Sequence, residues 1–121
     1  MRSSKIQTIT LGRKKVGYGQ GVFVIVEAGV NHNGKLATAL AMVDVAARAG
    51  ADAIKFQTFR AGDVVIGRGN MAAYQKKNLG TSESQLAMLK RFELKESFYK
   101  PIIERCKKEK KFSLHISLKD T

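Results

Sequence analysis

The sequence predicts an α/β fold in which parallel strands alternate with helices. Three features carry that prediction. Val22-Phe23-Val24-Ile25-Val26 is an unbroken apolar run following Gly21, a composition that suits a strand covered on both faces, as in parallel sheets. Leu36, Leu40, Val43 and Ala47 then recur at helical spacing and stop at Gly50, where a glycine is expected just past a helix end. Ala53-Ile54-Lys55-Phe56-Gln57-Thr58-Phe59 follows as a second β-type run. Strand, helix and strand joined by short links read as a right-handed βαβ unit.

The remaining elements follow along the chain. Ile6 to Leu11 is β-like, Gly12-Arg13-Lys14-Lys15 is a turn, and Val16-Gly17-Tyr18 returns as a short hairpin. Gly17, Gly19 and Gly21 precede a strand instead of linking strand to helix, so they read as a link and not as a phosphate cradle. Asn33 is the expected N-cap of the first helix. Residues 60 to 81 form a polar excursion. Ser82-Glu83-Ser84-Gln85 matches a capping box that opens a helix through Leu86, Leu89 and Phe92. A further helix carries Phe98, Ile102 and Cys106 on one face, and Pro101 fixes its start near Ser97. Phe112 to Leu118 alternates as a third strand. Such a series matches the opening of a (β/α)8 barrel, which in full takes about 250 residues. Residues 1–21 are therefore read as an N-terminal β-hairpin arm, and residues 22–121 as a partial, truncated barrel of about three strands and their helices.

Composition narrows the function classes. The 121 residues are 44% hydrophobic and 26% charged, as in soluble globular chains. No run approaches the ~20 apolar residues of a membrane span, and Met1-Arg2-Ser3-Ser4-Lys5 leads into no apolar signal core. The single Cys106 excludes an internal disulfide and fits a reducing cytosol. One thiol and two histidines are too few for a metal cage built from Cys and His alone. The formal charge of +12 raises a basic nucleic-acid-binding module as an alternative. Against it, the cations are spread along the chain and only 7% of residues are aromatic. Lys107-Lys108-Glu109-Lys110-Lys111, the one dense run, reads as a solvated helix end.

Three residues stand out chemically. Glu27 ends an otherwise apolar strand and needs a partner or an open strand end, because a buried unpaired carboxylate is costly. Lys55 and Gln57 lie two apart on the second strand and project to one face, while Ile54, Phe56 and Thr58 project to the other. Inward positions near the C-terminal rim of a barrel are where active sites form. A Glu27–Lys55 ion pair with no catalytic duty fits the same pattern.

Val26-Glu27-Ala28-Gly29-Val30-Asn31-His32-Asn33-Gly34 resembles the E-x-G-x-N-H-x-G signature of the sialic acid synthase family, and Gly50-Ala51-Asp52-Ala53-Ile54-Lys55-Phe56-Gln57-Thr58 resembles its G-A-D-x-x-K-x-Q motif. Tyr74-Gln75-Lys76-Lys77-Asn78, Glu83-Ser84-Gln85, Met88-Leu89 and the hairpin around Gly12 continue the likeness, which covers roughly residues 9 to 111. The resemblance implies an N-acetylneuraminate synthase-type transferase that condenses phosphoenolpyruvate with an N-acetylated hexosamine, N-acetylmannosamine, to give a nonulosonic acid and phosphate. N,N'-diacetyllegionaminate and pseudaminate synthases are the alternatives, and the Glu-Ala-Gly and Tyr-Gln-Lys variants lean to the legionaminate type. It implies that Lys55 and Gln57 hold phosphoenolpyruvate, that Glu27 is the catalytic carboxylate, and that Asn78 contacts the sugar. Asn31 and His32 read as loop-shaping residues.

The resemblance also implies a divalent metal, Mn2+ or Mg2+, whose ligands come from later strands outside this chain, and a homodimer in the full-length enzyme. No nucleic acid or membrane partner is expected. An N-terminal fragment of such an enzyme is expected to be inactive alone. The third strand departs from the family's Phe-Leu-Ser-Thr-Pro and reads Phe112-Ser113-Leu114-His115-Ile116-Ser117. A one-base slip of reading frame accounts for this, since a string such as TTTTCTCTCCACATCTCC encodes the present residues in one frame and Phe-Leu-Ser-Thr-Ser-Pro in the next. On that reading His115 is no site residue.

Overall fold

The computed structural model describes residues 7–67 and 84–117. A two-stranded antiparallel hairpin comes first, β1 (Ile9–Leu11) and β2 (Lys14–Val16), with Ile9 opposite Val16. Its turn needs a residue at φ +59°, and Gly12 supplies it without the penalty a Cβ would bring. The return strand therefore begins at Lys14, two residues earlier than the apolar Val16 suggests.

The main sheet is parallel, in the order β3 (Ile25–Gly29), β4 (Ala53–Thr58) and β5 (Phe112–Ser117). Helix α1 (Leu36–Arg48) joins the first two strands. Helix α2 (Ala61–Gly67), helix α3 (Gln85–Phe92), a 3-10 turn (Glu96–Phe98) and helix α4 (Tyr99–Lys108) lie between β4 and β5. The fold class is thus α/β, with three parallel strands connected through helices.

Helices cover one face of this sheet. Ala28, Ile54 and Phe56 from the strands meet Ala39, Val43 and Ala46 of α1 and Ile102 and Cys106 of α4. Phe56 and Ile102 are fully buried. Burying an aliphatic or aromatic side chain contributes about 1.5–3 kcal/mol, so this seam is the main source of stability. Arg105 Nη1 donates to Asp44 Oδ2 at 2.7 Å and clasps α4 to α1. Glu93 Oε2 accepts from the Ala61 N–H at 3.3 Å and satisfies a free donor at the start of α2.

Several expectations need correction. The first strand runs three residues later than the apolar run, and Val22 is 77% exposed. The Val24 N–H donates to Asp52 Oδ2 at 2.8 Å, while its carbonyl accepts from Asp52 and Ala53. Those bonds fasten the run's entry, but no element among the described residues covers the second face there. The N-cap of α1 is Lys35, not Asn33, and it makes no side-chain cap. Asn33 instead sits at φ +54° within the preceding turn, a conformation asparagine tolerates better than most residues. Within the stretch read as a polar excursion, residues 61–67 form a helix. Ser84, not Ser82, caps α3, its hydroxyl accepting from the Ala87 N–H at 3.1 Å.

Candidate functional site

The alternation along β4 sorts its side chains as the sequence predicts. Ile54, Phe56 and Thr58 are buried toward the helices, whereas Lys55 and Gln57 are half-buried on the opposite face. On β3 the same rule turns Val26 and Ala28 to the core and Ile25 and Glu27 outward. The register sets Glu27 opposite Lys55. Parallel neighbours lie ~4.8 Å apart, so their side chains meet, and Glu27 Oε2 forms an ion pair with Lys55 Nζ. The two side chains remain 53% and 33% exposed. A pair this open contributes at most about 1 kcal/mol to stability. Its charges stay available to a third group.

Glu27 lies within β3 and not at its end, because the strand continues through a bulge. Glu27 pairs with Lys55, but Gly29 already pairs with Phe56. Ala28 is the extra residue, and such an insertion re-aims the strand. Gly29 follows at φ +56°, where a Cβ would stand 3.4 Å from Glu27 Oε1. Glycine at this point lets the loop turn closely past the carboxylate. Only Gly29 signals this bulge in the sequence, and a register shift has no pattern of its own.

The loop after β3 is held by His32. The imidazole is completely buried, tilted against Phe56 with ring centroids 6.1 Å apart, and its Nδ1 accepts the Gly34 N–H at 2.9 Å. Burial holds its pKa below the usual histidine value. With Nδ1 accepting, the neutral ring carries its proton on Nε2. That atom is buried and meets no hydrogen-bond partner among the described residues. Gly34, at φ +71°, backs onto the Arg91 carbonyl oxygen, and a Cβ there would collide with it. These contacts give His32 the loop-shaping role read from the sequence. Asn31 is exposed beside it.

The structure therefore brings Glu27 and Lys55 together, with Gln57 one step along the same face. Asn78, the expected sugar contact, lies outside the described residues. No group of three His, Cys, Asp or Glu side chains able to hold a metal ion occurs among the described residues. No described helix is long and apolar enough to cross a membrane.

Residues 42–114 match the NeuB family. An N,N'-diacetyllegionaminic acid synthase of Legionella pneumophila is 48% identical over 85 residues, which are 70% of this chain and 24% of that protein. The enzyme of the same name from Campylobacter jejuni is 42% identical over 85 residues, 70% of this chain and 25% of its own. Among solved structures, the N-acetylneuraminic acid synthetase of Leptospira borgpetersenii in complex with citrate superposes with a TM-score of 0.70 at 32% identity, covering 93% of this chain and 35% of the other. The chain thus spans about a quarter of the length of the curated relatives it matches.

Proposed function

Since the chain belongs to the NeuB family, we propose that its β3–β4 face is the phosphoenolpyruvate-binding part of a sialic-acid-type synthase, formed by the first βα units of a (β/α)8 barrel. The carrying observation is the register of Glu27 with Lys55 on the sheet face opposite the helices, with Gln57 beside them. The Lys55 ammonium suits the phosphate or carboxylate oxygens of phosphoenolpyruvate, and the Gln57 amide can orient the same ligand through either end. Without ligand, Glu27 satisfies Lys55. An incoming anion competes for the ammonium and leaves the carboxylate facing the reacting centre, where it can hold or move a proton. The overall reaction joins C3 of phosphoenolpyruvate to the aldehyde carbon of the open-chain sugar. Water adds at C2, and phosphate leaves by C–O cleavage.

The described residues do not fit the divalent metal of the family, since no three ligating side chains converge among them. The part we propose for this face rests instead on Lys55 and Gln57: to bind and orient the anionic substrate. For the sugar, relatives of 48% and 42% identity are both N,N'-diacetyllegionaminic acid synthases. They favour a hexosamine carrying two acetamido groups over N-acetylmannosamine.

A chimera tests the reading: residues 9–111 of this chain replace the matching segment of the Legionella enzyme. Lys55→Ala should lower kcat/KM for phosphoenolpyruvate by roughly ten- to a hundredfold, the worth of one charge-assisted hydrogen bond. Gln57→Ala should act on the same substrate more weakly. Normal kinetics in the Lys55→Ala chimera would remove the assignment. Turnover of N-acetylmannosamine in preference to the diacetamido sugar would reverse the choice of substrate.

A further inference from the structure

We infer that a second anion site lies at the other end of the sheet, in the cleft between the hairpin turn and the end of α4, and that it takes a small multiply charged phosphate ester of the nucleoside polyphosphate class. Arg13, Lys14, Lys107, Lys110 and Lys111, with Asp52 and Phe23, line a space of about 350 Å³. This volume lies in the ordinary range for small-molecule sites. Five of the lining residues are cations and one is an anion. Asp52 is already engaged by the Val24 N–H and by Lys14, whose Nζ lies 3.0–3.1 Å from its two oxygens. Those bonds, with the nearby charges of Lys14 and Lys111, hold its carboxyl below the usual range. Arg13, Lys107 and Lys110 meet no acidic partner among the described residues.

A dense basic run at a helix end ordinarily reads as solvated surface. The backbone argues for more. Helices α1 and α4 end in the same way: the Ala51 and Gly50 N–H groups bond back to Ala46 and Ala47, and those of Lys111 and Lys110 to Cys106 and Lys107. This double bond pattern demands a left-handed residue, normally glycine. Gly50 provides it in α1 at φ +84°, but in α4 the position is Lys110 at φ +57°. A lysine whose backbone is held in the left-handed region on the wall of a cleft points to a task for its side chain. Phe23 is half-buried and lines the same cleft, and an aromatic side chain there suits a nucleobase or another flat apolar group.

Calorimetric titration of the 121-residue chain with ATP and with inorganic tripolyphosphate, both without metal, tests this. Saturable one-to-one binding of both is expected. Arg13→Gln and Lys110→Gly should each weaken it about tenfold, whereas Lys90→Gln on α3 should not. Lys110→Gly relaxes the backbone, so it should also raise Tm by roughly 4–8 °C, and lost affinity cannot then be blamed on unfolding. Phe23→Ala should weaken ATP more than tripolyphosphate. Absence of binding, or unchanged affinity in both charge variants, would overturn the site. So would tighter binding of a single-stranded oligonucleotide that is indifferent to Arg13 and Lys110, because it would make the cations a general basic surface.

Discussion

The two faces of the β3–β4 sheet are built from alternate residues of the same strands, yet their surroundings differ. On the helix side Phe56 is wholly buried among α1 and α4, and every change of volume there is felt by the core. On the other side Lys55 and Glu27 are half-open and joined to each other. One residue's step along β4 crosses from the core to the face proposed to bind substrate. A side chain on the open face can therefore change without unfolding the sheet, and this is what lets kinetic and structural effects be told apart.

The comparison breaks first at Phe56. Phe56→Ala should cost about 3–5 kcal/mol, the range for truncating a buried aromatic. Denaturant unfolding of the 121-residue chain measures this directly, and a loss under 1 kcal/mol would mean that the helix face is not the core. Glu27→Gln sharpens the contrast. In the chimera it should lower kcat by roughly 10²–10⁴-fold, the usual contribution of a positioned acid or base, while Tm moves by no more than a degree or two. A parallel fall of Tm and activity would reduce Glu27 to a structural partner of Lys55.

The smallest expected effect is pH-dependent and belongs to the buried side. His32 has a folded-state pKa below its unfolded value of 6.5. Its neutral form contributes fully above that value. Stability then falls as pH drops below 6.5, because the unfolded chain takes up the proton first. Asp52 is also depressed, from 3.8, so its contribution is lost only in stronger acid. Thermal melts between pH 7.5 and 3 should show these two descents separately. A flat Tm between pH 7 and 5 would contradict the burial of His32.

Much of this was legible in the sequence, and for definite reasons. The period of two in Ile54-Lys55-Phe56-Gln57-Thr58 is a local signal, so it identified both the core side and the open side of β4. Gly50 ended α1 as expected because its left-handed conformation belongs to the residue type. Other features depend on distant partners. The start of β3 is fixed by Asp52, and Asn33 was drawn into a turn that Gly34 packs against Arg91. Helix α2, with glycines at 62 and 67 and no apolar stripe, carries little helical signal of its own. The basic cleft joins residues near 12, 23, 52 and 110, and no local pattern announces such a meeting.

The clasps across this fold also set an order in time. Lys14 reaches Asp52 across 38 residues, whereas Arg105 reaches Asp44 across 61. At about 5–20 residues per second, the ribosome releases Arg105 several seconds after Asp44. During that interval the hairpin can already fasten the entry to β4, but the outer side of α1 has no covering helix. The first βα unit thus waits half-dressed for its neighbour, and a chaperone or protease meets the nascent chain at α1 before it meets any other helix.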